Sequence, residues 1–256
     1  HDDCKPLKWT FDTLPACNTI HEIADVYEKR PKSASRPYTI DWLGSGYYRT
    51  SFLFRPKDGS TPFVAKVLKL EHNQNHESRS RVNMEAILLD RLTASKRFSN
   101  IYGFCGNTVL VEKATELTYK LVPHRQGKDD DGFRGFMKQS ELEQIQKQNG
   151  IRSVNNLTDV EKLDIALTMA ESLAELHGYH LGVVLQNDVS IDQWMISATD
   201  GRIMLNDLNC AMVLDWNDKE QEYCDVYSSS SGNFRSPEFY TEDYYVSEQS
   251  ELWPMG

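Results

Sequence analysis

Long apolar runs are missing from this sequence. None approaches the roughly eighteen consecutive apolar residues that a membrane-crossing helix needs, so no span is expected within the chain. Positive charge is scarce as well: 28 Lys and Arg stand against 38 Asp and Glu, a net charge of −10. Nucleic acids and anionic membranes are gripped by clustered Lys and Arg, so neither is expected as the main partner. Cysteine is sparse, with five in 256 residues. That is too few for a disulfide scaffold, and the paired close spacings of a zinc site are absent. Two thiol arrangements stay open: five reduced cysteines, or two local bridges (Cys4 with Cys17, Cys210 with Cys224) that leave Cys105 over. No internal repeat is found. The chain begins at His1, so any signal or anchor upstream is expected to have been cut away.

With 39% hydrophobic and 26% charged residues, the chain has the composition of an ordinary globular protein with ample core. Residues 1–37 carry Pro6, Pro15, Pro31 and Pro37 and read as an extended leader with one short helix in "NTIHEIADVYEKR". From Tyr38 the texture turns to strands, "YTIDWLGSGYYRTSFLF" and "PFVAKVLKL", separated by the turn "PKDGS". "ESRSRVNMEAILLDRLTAS" has helical period, and "NIYGFCGNTVLVEKATEL" reads as two strands around a Gly-Asn turn. Residues 124–156 are polar and poor in branched aliphatics, as an insertion or linker would be, with a short helix expected near "SELEQIQKQ". The sequon at Asn156 accords with secretion. Thr158 and Glu161 then form a capping box for a helix whose Leu163, Ala166, Leu167, Ala170, Leu173 and Ala174 have core-facing spacing. Short strands "GVVLQN", "QWMIS" and "RIMLND" and a Ser-rich loop complete the chain.

Charged residues in apolar surroundings are the chemical signal. Strand alternation in "FVAKVLKL" sets Lys66 on one face with Val64, Leu68 and Leu70, and Lys69 on the other with Ala65 and Val67. Glu85 precedes Leu88, Leu89 and Leu92 by three, four and seven residues, on the apolar stripe of its own helix. A buried cation and a buried anion in consecutive elements suggest an ion pair, although two edge residues would show the same pattern. Gly44, Ser45 and Gly46 form a turn where backbone amides can approach a phosphate. Asp188 and Asp207 lie among strand-forming residues, where an unpartnered carboxylate is costly.

Taken in order, these residues resemble the protein kinase family. Gly44 precedes Lys66 by 22 residues and Lys66 precedes Glu85 by 19, spacings similar to that family's glycine loop, strand lysine and helix glutamate. "QNDVSIDQ" lines up with the kinase catalytic loop, "DLN" with D-F-G, "SPE" with A-P-E, and "SEQSELWPMG" with the start of a later helix. The resemblance implies an α+β bilobal fold: an antiparallel N-lobe with one main helix and its hinge over 38–123, the insertion 124–156, and a mainly helical C-lobe over 157–256. It implies ATP and Mg²⁺ as cofactors and a protein hydroxyl, Ser/Thr rather than Tyr, as acceptor. Asp188 would take the hydroxyl proton, Lys66 held by Glu85 would meet the nucleotide phosphates, and Asp207 with Gln193 would hold the metal. Glu112 lies near the expected hinge, where backbone groups would meet adenine.

Departures from the family pattern are specific. Arg49 stands in place of the third loop glycine, Gln186 and Asn187 replace the catalytic-loop His and Arg, and Ser190 replaces a phosphate-binding lysine. Asn209 stands for the D-F-G glycine and Glu251 for the aspartate of the later helix. They imply an alternative, a pseudokinase serving as a nucleotide-binding or scaffolding module. The motifs also resemble those of divergent algal kinase-like proteins facing a secretory lumen. A C-lobe ending at Gly256 would lack its remaining helices, so the chain is expected to be a fragment.

Overall fold

The computed structural model describes residues 4–5, 38–72, 76–117, 157–228, 235–240 and 245–255. The expected helix within residues 18–30, the insertion 124–156, the sequon and the Ser-rich loop lie outside them. Cys4–Lys5 forms β1, though its side chains are not described.

The runs rich in β-branched and aromatic residues form β2 (Tyr38–Ser45), β3 (Arg49–Pro56) and β4 (Phe63–Leu68). After helix α1 (His76–Leu92) come β5 (Ile101–Cys105) and β6 (Thr108–Glu112). Together they make one antiparallel sheet in the order β2-β3-β4-β6-β5. Gly59 and Gly106 turn the β3–β4 and β5–β6 hairpins with φ of 82° and 55°, values that glycine adopts without strain. Val64 and Leu68 face α1 and join a core with Val82, Ala86 and Leu89, while Ala65 packs with Phe54 and Leu110 on the other side. Leu70 departs from expectation. Because β4 ends at Leu68, Leu70 falls in a 3₁₀ turn and is 87% exposed.

A second antiparallel sheet ties the later part of the chain to the first. Ala114–Glu116 (β7) pairs with β9 (Trp194–Ser197), which pairs in turn with β10 (Ile203–Leu205). Phe98 forms a parallel bridge to Leu205, and a single core cluster includes Leu89, Phe98, Leu117, Leu173, Trp194 and Leu205.

Helix α2 (Asp159–His177) starts at the expected capping box, with Glu161 N–H donating to Thr158 Oγ1 at 3.2 Å and Thr158 N–H to Glu161 Oε2 at 2.7 Å. Its packed face differs from expectation. Ile165, Ser172, Leu173 and Leu176 are buried, whereas Leu163 and Leu167 are 70% and 54% exposed and Ala166, Ala170 and Ala174 are exposed too. The helix carries two apolar stripes, and the packed one holds Ile165, Leu173 and Leu176 with Ser172, whose Oγ accepts the indole N–H of the fully buried Trp194 at 3.0 Å.

The later part is less helical than expected. Among the described residues it adds only one further α-helix, α3 (Glu248–Leu252), among strands of two to four residues. β8 (Val184–Leu185) pairs with β11 (Met212–Val213), and β1 joins β12 (Trp216–Asn217) and β13 (Glu222–Tyr223). Val226–Tyr227 (β14) pairs with Tyr245–Val246 (β15). The chain is therefore a mixed α+β protein with antiparallel sheets and few helices. No described helix is long and apolar enough to cross a membrane.

Candidate functional site

Lys66 and Glu85 meet. The alternation of β4 and the apolar stripe of α1 aim both side chains into the space between sheet and helix, where they are 6% and 0% exposed. Lys66 Nζ donates to Glu85 Oε1 at 3.0 Å and to the Asn206 carbonyl at 2.9 Å. That second bond draws the segment after β10, and Asp207 with it, to the same place.

Arg49 was legible only as a bulky substitute for glycine; the structure makes it the centre of the cluster. At the start of β3, just past the Gly44–Gly46 turn, it is 6% exposed. Nη1 forms an ion pair with Glu85 Oε2, and Nη2 donates to Asp207 Oδ1 at 2.7 Å. Two cations and two carboxylates thus neutralise one another, which is how charged groups tolerate burial. Burial alone would raise the Asp207 pKa, but Arg49, Lys66 and the Asn209 N–H hold it below the ordinary carboxylate value. Burial lowers the Lys66 pKa and Arg49 adds to the shift, while Asp207 opposes it.

Asp188 lies beside this cluster, partly exposed. Its Oδ2 accepts from Gln193 Nε2 at 2.8 Å and its Oδ1 from Arg235, a buried residue whose guanidinium also lies 5.3 Å from the Phe239 ring centroid. Burial raises the Asp188 pKa, with Arg235 opposing and the charges of Asp192 and Asp207 adding. Gln186 links the two aspartates: its Oε1 accepts from Asp188 N–H at 2.6 Å, and its Nε2 donates to the Asp207 carbonyl at 3.1 Å. Asn187 adopts φ of 58°, a left-handed conformation that Asn tolerates better than most residues. Glu251, 3% exposed on α3, fixes this loop by accepting from the N–H groups of Gln186 (3.0 Å) and Asn187 and from His177 Nε2 (2.8 Å).

The Glu112 side chain is turned to another task. Its carboxylate is buried, accepting from Asn100 N–H at 2.8 Å, Ser197 Oγ at 2.9 Å and the Arg202 guanidinium. It ties β6 to β9 and β10, and its own N–H is spent on the Asn100 carbonyl at 3.0 Å. Gly44 and Gly46 are different: neither has positive φ, and a Cβ at Gly44 would meet nothing within 4 Å, at Gly46 only the Arg49 carbonyl at 4.0 Å. The fold itself does not require glycine there, and the turn backbone is open to approach.

Mg²⁺ does not fit this arrangement. Asp207 Oδ1 already accepts from Arg49 at 2.7 Å and from Asn209 N–H at 3.1 Å, and Gln193 directs its amide nitrogen to Asp188. A dication at Asp207 would also lie against the Arg49 guanidinium. No group of three or more His, Cys, Asp or Glu side chains suited to a metal occurs among the described residues.

The cysteines depart from both arrangements left open by the sequence. Cys105 and Cys224 are disulfide-bonded and Cys210 is free, so no Cys210–Cys224 bridge forms. Burial, with Asp188 and Asp207 nearby, pushes the Cys210 thiol up to about 11, although Arg81 Nη1 lies 3.2 Å from its sulfur and opposes the shift. A thiol of that pKa is ionised to about one part in a thousand at pH 8, so iodoacetamide is expected to label it roughly a hundredfold more slowly than free cysteine. Mass spectrometry of the native chain over a time course checks this.

The chain matches no protein-family model and no curated protein sequence.

Proposed function

We propose that the chain is a protein-kinase-like domain that binds the phosphates of ATP at Lys66 and Arg49 and passes a phosphoryl group to a protein hydroxyl. The observation that carries this reading is the buried Lys66–Glu85 pair at 3.0 Å, linked to Asp207 through Arg49. Helix, strand and loop contribute one charged group each, in the order and spacing of the resemblance. Lys66 and Arg49 would orient and neutralise the phosphates, and Asp188 would accept the acceptor hydroxyl's proton once Arg235 gives way. The raised pKa of Asp188 suits a base. The disulfide-bonded Cys105 and Cys224 support an oxidising compartment, in keeping with the secretory lumen inferred from the motifs.

Radiolabel transfer from ATP to a protein panel tests the proposal. Asp188→Asn is expected to lower the rate at least a hundredfold, the usual order for removing a general base. Transfer that persists at the wild-type rate in that variant removes Asp188 from the chemistry.

The second reading, a pseudokinase that binds nucleotide or serves as a scaffold, is favoured by a specific observation. Both aspartates are already engaged by arginines, Asp207 by Arg49 and Asp188 by Arg235. Thermal stabilisation by ATP with no label transfer to any acceptor would select it.

A further inference from the structure

Resting on the nucleotide-binding reading above, we infer that this site takes nucleotide phosphates without a divalent cation, Arg49 supplying the positive charge. Arg49 opens β3 just past the Gly44–Gly46 turn, and its backbone is tied into that turn by the Gly46 N–H, which donates to the Arg49 carbonyl at 2.9 Å. Its guanidinium reaches Glu85 and Asp207 beside the Lys66 ammonium, where phosphates held by Lys66 would meet it. The carboxylate it holds, Asp207, remains 29% exposed on its side chain, so this end of the cluster is reachable from solvent while Glu85 at the other end is sealed.

Charge decides between a metal and the arginine. In the cluster as built, Lys66 and Arg49 balance Glu85 and Asp207. A divalent cation would have to drive Arg49 from Asp207 and leave a buried guanidinium facing a dication, an arrangement that low-dielectric surroundings penalise steeply. An entering phosphate is repelled by the Asp207 carboxylate but gains two cations. It can share the planar N–H fork of Arg49 with Asp207 and take the Lys66 ammonium as a second donor. The ligand class is a nucleoside di- or triphosphate in its metal-free form. Gly44 and Gly46 leave the turn backbone unshielded.

The test is calorimetric titration of the 256-residue chain with ATP, once in EDTA and once in excess Mg²⁺. The expected result is binding in EDTA at least as tight as in Mg²⁺, and no Mn²⁺ retained with the nucleotide by electron paramagnetic resonance. Arg49→Lys, which keeps a cation able to balance Glu85, is expected to weaken metal-free binding about tenfold through loss of the two-pronged contact. Arg49→Ala is expected to abolish it, with thermal melts checking that the variant folds. Binding that requires Mg²⁺, or that tightens in either variant, overturns the inference and makes Arg49 an obstacle while leaving the nucleotide reading intact. No binding in either buffer overturns the nucleotide reading itself.

Discussion

Glu85→Ala is expected to lower stability by about 3–5 kcal/mol, the range seen when one partner is removed from a buried ion pair. Glu85 is fully buried and answers two cations at once, Lys66 through Oε1 and Arg49 through Oε2. Its loss leaves Asp207 as the sole carboxylate for both. For a chain of this size the melting temperature should fall by roughly 10 °C or more, read by circular dichroism. Glu85→Gln retains the volume and an acceptor oxygen, so it should fall between alanine and wild type. A shift under about 2 °C for alanine would mean that the four charges are solvated and not packed between sheet and helix.

Glu251→Ala should come close to that in magnitude and add a functional loss. Two backbone N–H groups, on Gln186 and Asn187, and the His177 ring would lose their shared acceptor inside the fold. Each buried donor left without a partner costs about 1–3 kcal/mol, so a total near 3–5 kcal/mol is expected. The loop it anchors also holds Asp188, and Asn187 keeps its left-handed backbone there. Phosphoryl transfer, where present, should therefore fall further than unfolding alone explains, measured at a temperature where both proteins are fully folded. Equal activity per folded molecule would show that Asp188 is positioned without Glu251.

What could be read in advance was what local periodicity encodes. Alternation in "FVAKVL" and the stripe on the following helix are each decided within one element, so a lysine partner for Glu85 was expected, although alternation left Lys66 and Lys69 both open and the kinase-like spacing favoured Lys66. The strand hairpins and the capping box at Thr158 and Glu161 belong to the same category. Arg49 shows the limit. Its residue type revealed bulk and charge, but its bond to Asp207 joins positions far apart in sequence, and only the sheet register and the return of the chain through Asn206 bring them together. Arg235 on Asp188 and Arg202 on Glu112 were hidden for the same reason. Helix α2 misled differently. Two apolar stripes compete along it, and the packed one carries Ser172, whose pairing with the Trp194 indole hydrophobicity cannot register. The two-residue strands of the later part are too short for any period to appear.

The pairing of β1 with β12 has a consequence for biosynthesis. Cys4 and Lys5 are synthesised about two hundred residues ahead of their partners, Asn217 and Trp216. The β2–β3–β4 meander can form on the nascent chain from neighbours in sequence, while β1 must wait until the chain has emerged through Asn217. Vectorial synthesis therefore lets the meander form before β1 meets its partner.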